Sequence, residues 1–324
     1  MSGAGAALGA RLRERDLSAA PAALNLLEST TQADREQAAA LLHEVSPAVI
    51  GAEAPGHVIG ITGPPGAGKS TLLSALLHSW REQNRTVAML AVDPSSRRSG
   101  GSLLGDRARI EFDPADHDVF IRSTAAGERL GGLSWATRSA AQALAAAFDQ
   151  VVIETVGVGQ AETEIAEVAD TVAVVVQPGS GDVLQFLKSG IMEIPDMLVI
   201  TKADLGQVAT RALRDVNASL RSLGKRSTWV QTVSSLSPPT GIDELMQGFG
   251  QHWLELTGND GEMLAERRRR SRRMAAVTDF AIEHGERGLR ALGGRRAAEV
   301  FLARQNDGLD TAALMKSLER KMTQ

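Results

Sequence analysis

The first residues in this chain of 324 whose types and spacing point to chemistry are Gly63, Gly66, Gly68, Lys69 and Ser70. They stand in the run Gly63-Pro64-Pro65-Gly66-Ala67-Gly68-Lys69-Ser70, followed by Thr71. The run matches the phosphate-cradling pattern G-x-x-x-x-G-K-[ST] at each fixed position. The glycines let the backbone turn tightly and aim its N–H groups inward. Those donors, with the positive end of a helix dipole, hold a β-phosphate. Lys69 adds a point charge for the β- and γ-phosphates. The Ser70 hydroxyl is placed to ligate magnesium, which keeps waters and phosphate oxygens as its other ligands. The pattern implies a bound nucleoside triphosphate with Mg2+.

Further along, Asp93 closes an apolar run, TVAMLAV, and is followed by a Gly/Ser/Arg-rich stretch that reads as a switch loop over phosphate. A carboxylate at the C-terminal end of a parallel strand faces the ligand crevice, so Asp93 is expected near the magnesium or its waters. Glu154 closes a second such run, QVVIET, with Gly157 three residues on. That pair is expected to form the second half of the phosphate site, Glu154 on magnesium through water and Gly157 close to the γ-phosphate.

The segment Thr201-Lys202-Ala203-Asp204 resembles the [NT]-K-x-D guanine signature of GTPases. A carboxylate accepts from guanine N1–H and the N2 amino group together. Adenine lacks the amino group and presents an acceptor at N1, so a site built for paired hydrogen bonds rejects it. The Lys202 stem would lie along the base. Ser234 and Ser235 follow the next strand, where a backbone N–H meets guanine O6.

These groups need a frame to hold them. Short β-branched runs at 57–62, 86–92, 118–123, 150–155, 171–177, 196–201 and 227–233 predict seven strands. Leucine-rich or alanine-rich stretches at 70–80 and 134–148 predict helices between them. Near-continuous apolar strands alternating with helices argue an α/β fold with a mostly parallel sheet covered on both faces. Residues 1–50 read as a helical extension, 51–258 as the nucleotide domain, and 259–324 as a C-terminal helical arm.

Composition narrows the classes. Hydrophobic residues are 43% and charged residues 23%, ordinary for a globular chain. With no cysteine, disulfides, thiolate metal sites and cysteine nucleophiles are excluded. No apolar run is long enough to cross a membrane, and the N-terminus is neither a signal nor a clean transit peptide, so a cytoplasmic protein is expected. The net charge of −4 hides an asymmetry: from Gly261 onward there are fourteen Lys/Arg against nine Asp/Glu. Six of those arginines fall in 267–273. They read as an acid-paired helix face or a protein-partner surface. Nucleic acid is not expected, because the net charge is negative and aromatics, at 3%, supply no stacking platform. The apolar spacing of 278–322 suits a homodimer interface.

Taken together, GPPGAGKST, DPSSRRSGGSLLGD, ETVGVGQAE, QPGSGDVLQFLKSGIMEIPD and TKAD resemble the MeaB/ArgK family over roughly residues 20 to 320. These are P-loop GTPases that act as chaperones of adenosylcobalamin-dependent acyl-CoA mutases. The resemblance implies GTP as substrate, GDP as product and Mg2+ as cofactor. It implies catalytic roles for Lys69, Glu154 and Asp106, and metal roles for Ser70, Asp93, Asp106 and Glu154. Residues 96–106 would be one switch and 154–164 another. Asp182, Gln185 and Lys188 would belong to a further switch that signals to the mutase. Homodimerisation through the C-terminal arm is implied as well. Two other classes stay open. A metallochaperone GTPase for another metalloenzyme would need His or Cys tracts that this chain lacks. An ATP-dependent small-molecule kinase is disfavoured by Asp204.

Overall fold

The computed structural model describes residues 3–93, 110–125, 133–155, 164–179, 195–222, 224 and 228–323, with the side chain of Asp93 left out. The chain forms two compact units. One comprises residues 57–134 and 149–256, and the other comprises residues 1–56, 135–148 and 257–324.

The first unit holds the seven strands β1 (His57–Thr62), β2 (Val87–Asp93), β3 (Val119–Ala125), β4 (Gln150–Thr155), β5 (Thr171–Val176), β6 (Met197–Ile200) and β7 (Trp229–Thr232). They pair in parallel in the order β3-β2-β4-β1-β5-β6-β7. β1 and β5 are buried at all six positions, as their unbroken apolar runs require of strands covered on both faces. β1 lies between β4 and β5, so the loop after it emerges at the middle of the sheet. The connection from β1 leads toward β2, and that from neighbouring β4 leads back across to β5. Such diverging connections open a crevice at the carboxyl ends of parallel strands.

Among the described residues the α-helices are α1 (Ala4–Arg13), α2 (Ala20–Glu28), α3 (Gln32–Glu44), α4 (Pro47–Ile50), α5 (Lys69–Glu82), α6 (Trp135–Leu144), α7 (Gln207–Ser222), α8 (Ile242–Thr257), α9 (Glu262–Ala291), α10 (Arg295–Leu302) and α11 (Thr311–Met322). In the sheet unit, Leu72, Leu73, Leu76, Leu77 and Trp80 of α5 share one core with Ile59, Ile61, Val87, Met89, Val152, Val175 and Val199. Burying Leu-sized side chains stabilises by about 1.5–3 kcal/mol each. That packing anchors α5, and so the loop that precedes it.

The helical unit gathers α1 to α4, α6 and α9 to α11. Its C-terminal helices cover one another: Phe280, Leu289, Leu302, Leu314 and Leu318 form a closed cluster. The apolar stripe of 278–322 is thus buried largely within the arm, while Ile282 and Val300 stay about half exposed at 52% and 50%. The arginine run is an acid- and carbonyl-paired face. Buried Arg268 donates to the carbonyls of Ala54 and Gly56, both at 2.6 Å. Arg272 grips Glu53 through two bonds of 2.8 Å. Arg269 and Arg273 share Asp307 at 2.6 and 2.8 Å, and the Arg269 bond holds the Asp307 carboxyl below its usual range. Buried Arg138 of α6 pairs with Asp279 of α9. No helix among the described residues is long and apolar enough to cross a membrane.

Candidate functional site: a phosphate loop beside a base-reading segment

The loop from Gly63 to Gly68 joins β1 to α5. Gly63 adopts φ +147°, and a Cβ there would meet the Val175 carbonyl of β5 at 2.0 Å. Only glycine fits that approach. Pro64, Pro65 and Gly66 form the outer bend, while Ala67 is fully buried. Gly68, at φ +90°, is the N-cap of α5, so the first N–H groups of a fourteen-residue helix open toward the loop. Lys69 is 7% exposed; its ammonium donates to Gly63 O at 2.7 Å and Pro64 O at 3.3 Å. A phosphate oxygen in the loop would meet the same three N–H donors. Thr71 points outward, exposed.

Glu154, the penultimate residue of β4, is in register with Ile61 of β1, two residues before the loop. Its carboxylate is 8% exposed, and Oε1 accepts from Ser70 Oγ at 3.4 Å. Below, the Thr155 hydroxyl donates to Thr62 Oγ1 at 2.8 Å and ties the two strand ends together. A buried carboxylate beside a hydroxyl at a helix N-terminus is a pair of hard oxygen donors, the set magnesium takes. The residues present therefore fit that ion. Asp93 ends β2 on the same edge of the sheet. Its side chain, together with Asp106, Gly157, Asp182, Gln185 and Lys188, lies outside the described residues, as do most of the three predicted switches.

Beyond β5, the loop after β6 comes against the phosphate loop. Thr201, 4% exposed, donates its hydroxyl to Ala67 O at 2.6 Å, with Val176 O at 3.2 Å. Lys202 holds a left-handed backbone, φ 54° and ψ 43°. Its ammonium donates to Gly66 O at 3.3 Å and to Gln177 Oε1. Thr201 and Lys202 each bridge the phosphate loop to the end of β5. Asp204 is exposed, and its Oδ1 accepts from Ser234 Oγ at 2.9 Å. The Ser234 N–H donates to Thr240 O at 2.9 Å. Of the two serines, Ser235 is therefore the one whose backbone donor faces no such commitment.

The structure thus brings Lys69, Ser70 and Glu154 together at one end of the crevice, and Lys202, Asp204, Ser234 and Ser235 at the other. Thr201, at the [NT] position of the resemblance, secures the phosphate loop through its hydroxyl. Sequence reasoning missed Gln177, a strand-end glutamine before Pro178-Gly179 that no spacing rule singles out. Glu164, at the end of the second expected switch, accepts from Leu133 N through its Oε2 at 2.7 Å.

Comparison with known proteins bears on this geometry. Residues 5–286 match the family model described as methylmalonyl-CoA mutase-associated GTPase MeaB. A protein of Mycobacterium tuberculosis named a probable GTPase is 40% identical over 267 residues, which cover 81% of this chain and 78% of that one. The mouse mitochondrial methylmalonic aciduria type A homolog is 36% identical over 253 residues, 75% of this chain and 60% of that protein. A solved structure described as the LAO/AO transport system kinase superposes with a TM-score of 0.67 at 27% identity, covering 99% of this chain and 98% of that one.

Proposed function

The chain belongs to the methylmalonyl-CoA mutase-associated GTPase family, and from that premise we propose that it couples GTP hydrolysis to the care of an adenosylcobalamin-dependent acyl-CoA mutase. GTP-bound protein engages the mutase and gates loading or protection of its cobalamin, and hydrolysis resets the complex. The observation that carries the guanine half of this reading is the Ser234–Asp204 bond of 2.9 Å, which orients a carboxylate one loop away from a phosphate cradle.

The residues divide the work. The backbone of Gly63 to Gly68 and the start of α5 receive the β-phosphate, and Lys69 neutralises the β- and γ-oxygens. Ser70, with Glu154 through water, would hold magnesium, and Asp93 and Asp106 would stand around it; the ion would supply positive charge to the phosphate oxygens. Asp204 accepts from guanine N1–H and N2, the Lys202 stem covers a face of the base, and the Ser235 N–H meets O6. The donors of the phosphate loop and Lys69 are the preorganised groups that would stabilise the charge developing in phosphoryl transfer. Gly157 approaches the γ-phosphate. Asp182, Gln185 and Lys188 carry the state of the site to the mutase. These last assignments, like homodimerisation through the C-terminal arm and a cytoplasmic setting, rest on the family resemblance.

The test is nucleotide turnover by the purified protein, GTP against ATP, with and without a candidate adenosylcobalamin-dependent mutase. GTP-selective turnover that rises with the mutase supports the reading. Selectivity for GTP that is indifferent to every such mutase removes the client. A second reading, a kinase acting on a small molecule, draws support from the description of the solved structure. It requires ADP and GDP to bind equally, which the acceptor at adenine N1 facing Asp204 opposes.

A further inference from the structure

We propose that Gln177 is a positioning residue for guanine-nucleotide binding, acting through Lys202 and touching neither base nor phosphate. This rests on the base-site assignment above.

Lys202 has an unusual backbone. Residues other than glycine seldom take positive φ, and holding one there costs free energy that the surroundings must supply. Two things hold it. Ala203 N donates to Val233 O at 3.0 Å and fixes the backbone on the far side. On the near side the ammonium bonds Gly66 O at 3.3 Å and the Gln177 amide oxygen. Of these two acceptors, Gly66 O sits at the outer bend of the phosphate loop, where Gly66 itself is exposed. Gln177 follows directly on β5, whose residues are buried throughout, so its amide is carried by the more rigid support.

The consequence for binding is geometric. A lysine stem covers a base more readily when its far end is held, because an unrestrained chain loses rotamer entropy on being ordered. With the ammonium fixed between Gln177 and Gly66, the stem is set before the nucleotide arrives. Loss of the Gln177 acceptor leaves the ammonium to the loop carbonyl and water, and the stem must then be ordered by the base itself. Binding weakens, while the phosphate end is untouched.

The experiment compares the wild type with Gln177→Ala, Gln177→Glu, Lys202→Ala and the double variant Gln177→Ala/Lys202→Ala, in the full chain. Affinity is read with fluorescently labelled GDP and with unlabelled IDP, and turnover with GTP. The expected result for Gln177→Ala is a rise of about tenfold in both the GDP Kd and the GTP KM, as for one lost bond to a charged group. Its kcat stays within about twofold, since the interaction is uniform between ground and transition state. GDP and IDP lose equally, because the lysine covers the face of the base and not its N2 edge. Gln177→Glu, which keeps an acceptor for the ammonium, retains wild-type affinity. On the Lys202→Ala background the Gln177 substitution adds nothing.

A purely structural role for Gln177 would instead lower the Tm of the nucleotide-free protein and add to Lys202→Ala. Either that pattern, or an unchanged GDP Kd in Gln177→Ala, overturns the proposal. If the wild type binds ADP as well as GDP, the base-site assignment itself has failed. If it prefers GDP and Gln177→Ala is silent, only the role of Gln177 has.

Discussion

The Thr201 hydroxyl donates to the Ala67 carbonyl at 2.6 Å, so the base-reading segment and the phosphate loop are one bonded surface. Ala67 is fully buried, and its carbonyl has no easy recourse to water. Thr201→Val keeps the shape and removes the donor, which leaves that acceptor unpaired at about 1–3 kcal/mol. Nucleotide binding should weaken about tenfold in a fluorescent-GDP titration. Thr201→Ser should bind as the wild type does.

Asp204 should decide the base. An Asn at this position puts an N–H donor where guanine N2 needs an acceptor. Asp204→Asn is expected to raise the GTP KM by at least about a hundredfold, as for a polar group left unpaired in a site built to bond it. The same amide suits a carbonyl at position 2, so XTP should become the better substrate. Turnover of GTP, ATP and XTP by the variant measures this, and unchanged preference for GTP would remove Asp204 from the site.

Two neighbouring arginines should differ in what they contribute to stability. Arg268 is 8% exposed and serves two carbonyls, Ala54 O and Gly56 O. Arg268→Ala strands both and is expected to cost about 2–4 kcal/mol in urea unfolding. Arg269 bonds an Asp307 that is itself half exposed, at 52%, so Arg269→Ala should cost about 1 kcal/mol or less.

Acid should weaken the sheet unit at a definable place. Arg81 bonds Asp116 at 2.7 Å and Asp118 at 2.8 Å, and the Arg81 bond leads the causes that hold the Asp116 carboxyl below its usual range. A group whose folded pKa lies below its unfolded value stabilises the fold above that unfolded value. The contribution is lost as pH falls through the folded pKa. Stability should therefore drop below about pH 4, the ordinary carboxylate value. Asp116→Asn should be less stable at pH 7 by about 1 kcal/mol at most and should flatten that acid-side slope. Urea unfolding at pH 3 to 7 gives both.

Much of the sheet was readable before any coordinates. Strands buried on both faces must be continuous apolar runs, and TVAVVV and HVIGIT are such runs. The phosphate loop was readable because its geometry demands glycine at particular positions. The helical unit was not. Nothing in the alanine-rich α6 says which helices it joins; its buried Arg138 finds Asp279 141 residues away. Likewise Arg272 meets Glu53 across 219 residues, so a run of arginines could be read only as a charged face whose partners were open. Thr201 was legible as the first position of an [NT]-K-x-D pattern, but that its hydroxyl reaches Ala67 O depends on how closely the two loops approach. Such distances are set by tertiary packing, which no local pattern encodes.

The helical unit is sewn from three separated stretches, residues 1–56, 135–148 and 257–324. That has a consequence for the order of events on the ribosome. By the time residue 256 has emerged, every strand of the sheet is available to pair. α6 has been exposed for more than a hundred residues of synthesis, with Asp279 and the rest of α9 still inside the ribosome or unmade. Domains fold as their chains become complete, N-terminal first. The nucleotide-binding half should therefore mature first, with Arg138 solvated until the final fifth of the polypeptide arrives. A nascent chain stalled when residue 256 has just emerged should resist protease across the strands yet be cut at 135–148.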